Sequence, residues 1–232
     1  GDCLYYGCVP TKALIHSAKI ASLIKRSKEY GLNETNISFD FKNVMNHMRE
    51  VISKVGEQDD PKRFENMGVQ VFFGDGRFID PHTFEFDGKK ITSRKFVIST
   101  GSRAVAIPIK GLENIKYLTS ESALELDYLP KSIIILGAGP IGLEFAQVFA
   151  RFGSKVTVIE KMGQILPRED KEIADTLELI LKEEGIDIYT CVEVDQVKQN
   201  EGLKGIEVVA ACSGQKKTFQ ADEFMIAIGR AP

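Results

Sequence analysis

The residues of this chain best suited to covalent chemistry are two cysteines near its start. Cys3 and Cys8 stand five positions apart and lead directly into Val9-Pro10-Thr11-Lys12. In a regular helix five residues rise ~7.5 Å, more than the roughly 4.4–6.8 Å between Cα atoms that a disulfide tolerates. A bridge between them therefore requires a distorted backbone, and Gly7 supplies that freedom. Cys8 would then begin a helix, where the dipole favours a thiolate, and Lys12 would add a positive charge one turn further along the same face. A reversibly oxidised pair is coherent on these grounds. Two buried free thiols, or half of a metal site, are equally open readings. Cys191 and Cys212 are isolated on expected strands, and no histidines are spaced to complete a zinc set, so no metal ligand is assigned.

A second chemical signal lies in Gly137-Ala138-Gly139-Pro140-Ile141-Gly142, a G-x-G-x-x-G pattern. The pattern alone is weak, but here it follows the apolar run Ile133-Ile134-Ile135-Leu136 and opens a helix. In that context Gly137 permits the tight turn, Gly139 lets the backbone approach a pyrophosphate, and Gly142 allows close packing of helix on strand. The pyrophosphate would rest on the helix N-terminal amides. The next expected strand ends in Glu160, an acid placed to accept hydrogen bonds from a ribose. That carboxylate would repel a 2′-phosphate, so it favours NAD over NADP, although the neighbouring Lys161 pulls the other way.

These groups need elements to hold them. A helix is expected from Val9 or Pro10 to about Tyr30, stopped by Gly31, and a second after the N-cap Asp40, interrupted near Pro61. Short strands are expected at 69–73, 77–79, 83–86 and 95–99, with turns at Gly74-Asp75-Gly76 and Asp87-Gly88. Beyond a loop at 108–118, strand 132–136, helix 140–152 and strand 155–160 make a βαβ unit. A helix over about 168–184 carries Ile173, Leu177, Ile180 and Leu181 on one face, and strands follow at 186–190, 194–199, 206–211 and 224–228. The boundary between two parts falls near Thr119. Of the histidines, His16 shares a helix stripe with Cys8, Lys12, Ile20 and Ile24 and reads as packed. His47 and His82 read as helix-surface and turn residues, so no base is assigned.

The 232 residues are 43% hydrophobic and 27% charged, which supports a folded core and excludes a disordered or collagen-like chain. A formal charge of -3 leaves no basic footprint for nucleic acid. Four cysteines are too few for a disulfide-stapled secreted scaffold. The most apolar window, 132–150, contains three glycines, a proline, Glu144 and Gln147, so no membrane span is expected. No signal or transit segment precedes the first motif, and a cytoplasmic protein is expected.

The stretch Gly1-Asp2-Cys3-Leu4-Tyr5-Tyr6-Gly7-Cys8-Val9-Pro10-Thr11-Lys12 closely resembles the active-site signature of the class I pyridine nucleotide–disulfide oxidoreductases. These are FAD flavoenzymes that include dihydrolipoamide dehydrogenase and mercuric reductase. Ser99-Thr100-Gly101-Ser102-Arg103 is similar to the family's flavin-contact turn. Leu129-Pro130-Lys131, Ile165-Leu166-Pro167 and Ala227-Ile228-Gly229-Arg230-Ala231-Pro232 fit in order. The resemblance implies an α/β fold of three-layer, Rossmann-like FAD/NAD(P)-binding domains, with a partial FAD domain at 1–118 and a nearly complete NAD domain at 119–232. It implies FAD and NAD as cofactors and a Cys3–Cys8 disulfide relaying electrons, with Cys3 exchanging with a small-molecule or protein-bound disulfide or dithiol and Cys8 against the flavin. Lys12 matches the lysine beside the flavin and Glu144 its ion-pair partner. Gly76, Thr100, Gly101 and Ser102 match FAD contacts, and Val194 and Gly229 match NAD contacts.

The sequence also departs from that pattern. Asp2 replaces the commoner Thr and, with Val9-Pro10, leans toward mercuric-reductase-like enzymes, whereas Glu160 leans toward NAD-linked lipoamide dehydrogenases. Tyr5 and Thr11 replace Asn and Ser. The family's first glycine motif is expected before Gly1. The interface domain with the acid/base histidine, through which the parent protein would form a homodimer, is expected after Pro232. This stretch alone is accordingly expected not to turn over. Alternatives are a mercuric-reductase-like enzyme and, for the chain by itself, a non-catalytic NAD-binding module.

Overall fold

A computed structural model describes residues 1–33, 35, 37–105, 107–199, 206–212 and 215–232. Four helices come first: α1 (Asp2–Tyr5), α2 (Cys8–Lys25), α3 (Phe41–Gly56) and α4 (Pro61–Asn66). Strands β1 (Gly76–Asp80), β2 (Thr83–Phe86) and β3 (Lys89–Thr92) form an antiparallel meander, followed by the short β4 (Arg103–Ala104). The second half contains β5 (Ser132–Leu136), α5 (Pro140–Phe152), β6 (Lys155–Ile159), α6 (Lys171–Glu183) and β7 (Asp187–Tyr189). It continues through β8 (Glu193–Gln199), β9 (Ile206–Cys212), β10 (Gln215–Ala221), β11 (Glu223–Ile226) and β12 (Arg230–Ala231).

A parallel sheet of order β11-β5-β6-β7 is the centre of the architecture. Its strands are buried on both faces, which explains their unbroken apolar sequences. The two-residue period of a strand sends alternate side chains to opposite sides. Ile133, Ile135, Val156, Val158 and Met225 face a core built with the helices. Ile134, Leu136, Ile159, Phe224 and Ile226 face a second core under the antiparallel sheet β10-β9-β8. Helices, parallel sheet and antiparallel sheet thus make the three layers. The helix layer joins both halves of the chain: Leu14, Ala18 and Ala21 of α2 and Met45 and Met48 of α3 share one core with Phe145 and Phe149 of α5. The alanines on α2 let the helices approach closely. Among the described residues no helix is long and apolar enough to cross a membrane.

Several sequence expectations need correction. The helix expected from Val9 or Pro10 is α2, which begins at Cys8 and ends at Lys25, and a separate 3₁₀ segment, Ser27–Tyr30, carries the chain to Gly31 at φ 74°. Asp40 caps α3 through Lys42 N (2.9 Å), and the helical stretch is interrupted near Pro61 as expected: Asp60 is extended, and Pro61 opens α4, where a proline at the first turn sacrifices no hydrogen bond. Residues 69–73 and 95–99 are not strands. Neither segment pairs in a ladder with any strand among the described residues, and β-branched composition cannot replace a ladder partner. Lys89–Thr92 takes the third position in the meander, and Phe96 packs on Phe78 and Phe84. Helix α6 buries Ala174 and Leu181, with Ile173 and Ile180 exposed, so the expected apolar face is rotated. His16 and Ile20 are exposed as well, because α2 buries the stripe Thr11, Leu14, Ala18 and Ala21. Cys191 sits at a bend with φ 57°, not on a strand. The side chain of Cys212 lies outside the described ones.

Candidate functional site

The two cysteines are brought together by a broken helix. Helix α1 closes with Tyr5 N donating to Gly1 O (3.2 Å) and Tyr6 N to Asp2 O (2.9 Å). The chain then turns through Tyr6 and Gly7, and α2 starts at Cys8 with Gly7 as its N-cap. Thr11 fastens this cap twice, donating N–H (3.2 Å) and Oγ1–H (3.0 Å) to the Gly7 carbonyl. A side chain at position 7 would crowd Asp2 O at 3.3 Å and the Cys3 Cα at 3.4 Å, so a glycine suits the close approach of α1 to α2. Both cysteine side chains are exposed and unbridged. Cys8 faces Cys3 closely enough to push the Cys3 pKa above the ordinary thiol value. Desolvation, the charge of Cys8 and the nearby Asp2 carboxylate add to the rise.

Lys12, one turn into α2, reaches Glu144 on α5, with Nζ–Oε1 2.5 Å. The pair links positions 132 apart in sequence. Its side chains are 59% and 31% exposed, so its contribution to stability is on the order of 0.2–1 kcal/mol. Its reason for being in so apolar a helix is then not stability.

The far end of the chain returns to the cysteines. Strand β12 pairs with β4, Arg230 opposite Ala104, and Val105 N donates to Gly229 O (3.1 Å). This sets the Arg230 guanidinium against Asp2 (Nη2–Oδ1 2.9 Å), Ser102 O (2.5 Å) and Ser102 Oγ (2.9 Å). It also donates to Ser120 Oγ (3.2 Å) and Glu121 Oε1 (3.3 Å). Ser102 Oγ donates in turn to Asp2 Oδ2 (3.4 Å), and a side chain at Gly101 (φ 74°) would lie 3.5 Å from the Asp2 Cβ. The turn Thr100-Gly101-Ser102 therefore lies beside the residue preceding Cys3. Neither Arg230 nor Asp2 was singled out by chemistry in the sequence. They are 228 positions apart, and the one available signal was that Asp2 departs from the family pattern.

The glycine loop lies at the carboxyl end of the inner strand β5, between it and α5. Gly137 has φ 107°, and a side chain there would strike the Ala227 carbonyl oxygen at 2.5 Å. One at Gly142 would overlap the Gly137 carbonyl oxygen outright. Gly139 is different: nothing lies within 4 Å of where its Cβ would be, so it faces open space at the start of α5. Pro140 is the first residue of α5, Ile141 packs partly into the helix-side core, and Ala138 is fully buried. The loop is pinned from both sides. Leu166 N donates to Ala138 O (2.9 Å), and Ala138 N donates to Glu160 Oε2 (2.8 Å). Glu160 is itself buried and also accepts from Met162 N (2.9 Å), so this acid shapes the loop as well as ending β6. Lys161 turns to Glu193 (2.7 Å).

Three of the expected residues stand elsewhere. Gly76 pairs with Phe86 in its own hairpin, where a side chain would collide with Phe84 and, at 2.8 Å, Glu85 O; packing there is reason enough for a glycine. Val194 lies on β8 against the second core. Gly229, at φ 142°, is next to Arg230 and open on its Cα side. Among the described residues no group of three or more His, Cys, Asp and Glu side chains is arranged to hold a metal.

Residues 1–232 match the family model described as pyridine nucleotide-disulphide oxidoreductase. A mercuric reductase of Bacillus cereus is 31% identical over 232 residues, covering 100% of this chain and 36% of that protein. A dihydrolipoamide dehydrogenase of Chaetomium thermophilum is 34% identical over 240 residues, covering 100% of this chain and 47% of its own length. The solved HOCl-induced flavoprotein disulfide reductase RclA from Escherichia coli superposes with a TM-score of 0.77 at 32% identity, over 100% of this chain and 48% of that one. The chain thus spans between a third and a half of the length of these relatives.

Proposed function

This chain belongs to the pyridine nucleotide-disulphide oxidoreductase family, and from that premise we propose that its full protein reduces a disulfide-type acceptor with electrons from NADH through Cys3 and Cys8. The division near Thr119, with FAD held mainly by residues 1–118 and NAD by 119–232, is part of this reading. The observation that carries it is the adjacent, exposed pair of thiols, brought together by the helix break at Gly7.

The chemistry of the pair balances without another reactant. The Cys3 thiolate attacks one sulfur of a substrate disulfide, forming a mixed disulfide and releasing one thiolate. Cys8 then attacks the Cys3 sulfur, the second substrate thiol leaves, and a Cys3–Cys8 disulfide remains. Two electrons pass to the substrate, and the two protons of the dithiol end on the product thiols. Cys8 is the first residue of α2, so its sulfur lies at the positive end of the helix dipole. Bound FAD supplies the two-electron capacity that links a hydride donor to such a disulfide. Its fit rests on the exposed Lys12–Glu144 pair one turn from Cys8 and on the Thr100-Gly101-Ser102 turn beside Asp2. For the pyridine nucleotide, the fit rests on the open face of Gly139 at the head of α5, where backbone amides are available to a pyrophosphate. Glu160 favours NAD by excluding a 2′-phosphate, and Lys161 is drawn away to Glu193.

The test uses the full-length protein. It is expected to be yellow with bound FAD and to oxidise NADH when given a lipoamide-type disulfide. Cys8→Ser should stop acceptor reduction while NADH still bleaches the flavin. A colourless but correctly folded protein would overturn the reading. Hg(II) in place of the disulfide separates the two acceptor chemistries borne by the named relatives.

A further inference from the structure

We propose that Arg230 is a positioning residue for the dithiol, holding Asp2 and helix α1 against the Gly101-Ser102 turn and cancelling the carboxylate charge beside Cys3. This rests on the reading of Cys3 and Cys8 as the reacting pair, but it concerns a residue outside that pair and outside both nucleotide motifs.

Helix α1 is four residues long, too short to hold its place by its own hydrogen bonds. Leu4 is its buried anchor, resting near Gly56 of α3. Its other fixed point is Asp2, and the partner there is Arg230, whose side chain is only 18% exposed. The guanidinium makes contacts to Asp2, Ser102, Ser120 and Glu121, so its direction is set on several sides. A fork with that many fixed donors orients its carboxylate more firmly than a lone ammonium could. Asp2 immediately precedes Cys3, and its negative charge disfavours the Cys3 thiolate. Arg230 opposes that effect.

The charged and titratable groups around Cys3 are few. Its own helix supplies Asp2, and α2 supplies Cys8, with Lys12 a turn further on. Helix α3 meets α1 through Gly56, and the flanking Lys54 and Glu57 are exposed. Arg230 and Glu121 stand behind Asp2.

Two effects of opposite sign distinguish a charge-balancing clamp from a merely structural one. The experiment follows alkylation of Cys3 by iodoacetamide against pH in the reduced full-length protein, with mass spectrometry reading the Cys3 peptide separately from the other cysteines. Arg230→Gln leaves Asp2 uncompensated and moves the inflection to higher pH. Asp2→Asn removes the negative charge next to Cys3 while Arg230 remains, and moves it to lower pH. Each shift is expected to be about 0.3–0.7 pH unit, a two- to fivefold change in thiolate at fixed pH, because solvent at the exposed Cys3 sulfur screens the change in charge. Asp2→Asn combined with Arg230→Gln returns the inflection near the wild type. Arg230→Lys, which keeps the charge, also stays near it. Shifts of the same sign in the two single variants, or an Arg230→Lys profile matching that of Arg230→Gln, would overturn the proposal. The redox reading is checked apart from this: wild-type protein that forms no Cys3–Cys8 disulfide across a glutathione redox series counts against the relay, whatever the alkylation profiles show.

Discussion

The same substitution, glycine to alanine, should have opposite consequences at two positions three residues apart in the nucleotide loop. At Gly142 the new methyl group would overlap the Gly137 carbonyl oxygen, and the obstacle is backbone rather than the movable end of a side chain. Relief requires helix α5 to retreat from the loop by on the order of 1 Å, and a gap of that size forfeits a quarter to a half of each contact it opens. Helix α5 buries Leu143, Phe145, Ala146, Val148, Phe149 and Phe152, so the loss spreads along its inner face. The cost should sit at the top of the range for overpacked sites, about 3 kcal/mol, which for a chain of this size lowers Tm by about 6–12 °C. At Gly139 nothing lies within 4 Å of the new atom, and φ −76°, ψ 177° suits any residue. Gly139→Ala should leave Tm unchanged or raise it slightly, since alanine restricts the unfolded chain by about 0.4–1 kcal/mol. Yet its methyl group stands where a pyrophosphate would approach, so NADH affinity should fall by roughly tenfold or more, about 1.4 kcal/mol. Thermal unfolding and isothermal titration with NADH on the full-length variants separate the two. A Gly142→Ala protein as stable as wild type, or a Gly139→Ala protein binding NADH undiminished, would refute this account of the loop.

Other perturbations probe the supports of the site. Arg151 and Glu184, each 16% exposed, form a two-point pair with distances of 2.8 and 2.7 Å that ties α5 to the end of α6. Arg151→Ala should cost roughly 2–3 kcal/mol by stranding the carboxylate, and adding Glu184→Ala should recover part of it in urea denaturation. Glu144→Gln should lower Tm by no more than about 4 °C, because the pair is exposed. Disulfide reduction should nonetheless fall tenfold or more, and unchanged turnover would remove Lys12–Glu144 from the mechanism. Tyr128 is pushed up to about 12 first by burial and then by its hydrogen bond to Glu223. Its stabilisation is complete below the ordinary tyrosine value near 10 and is lost as pH rises toward 12. Tyr128→Phe should therefore flatten the decline of stability over that range.

What could be read along the chain was local. The boundaries of β2, β5 and α5 agree with the sequence reading because turn glycines, a helix-opening proline and continuous apolar runs announce them. The misreadings share one cause. Residues 69–73 and 95–99 have strand-like composition but no ladder partner among the described residues, and His16 and Ile173 lie on stripes that the packing turned outward. Periodicity shows that a helix has an apolar face. Which neighbour covers that face, and at what rotation, depends on elements far away in sequence.

The sequence by itself determined the chemistry at hand: two thiols ahead of a helix, and a glycine loop of which two members are dictated by backbone proximity. The tertiary structure decided how those parts are aimed. Lys12 meets Glu144 because α2 packs against α5, and Glu160 turns to the Ala138 amide because β6 lies beside β5. Arg230 reaches Asp2 because β12 returns to β4. None of these contacts leaves a spacing signal, since each joins residues whose separation along the chain is set by the fold and not by the period of a helix or strand.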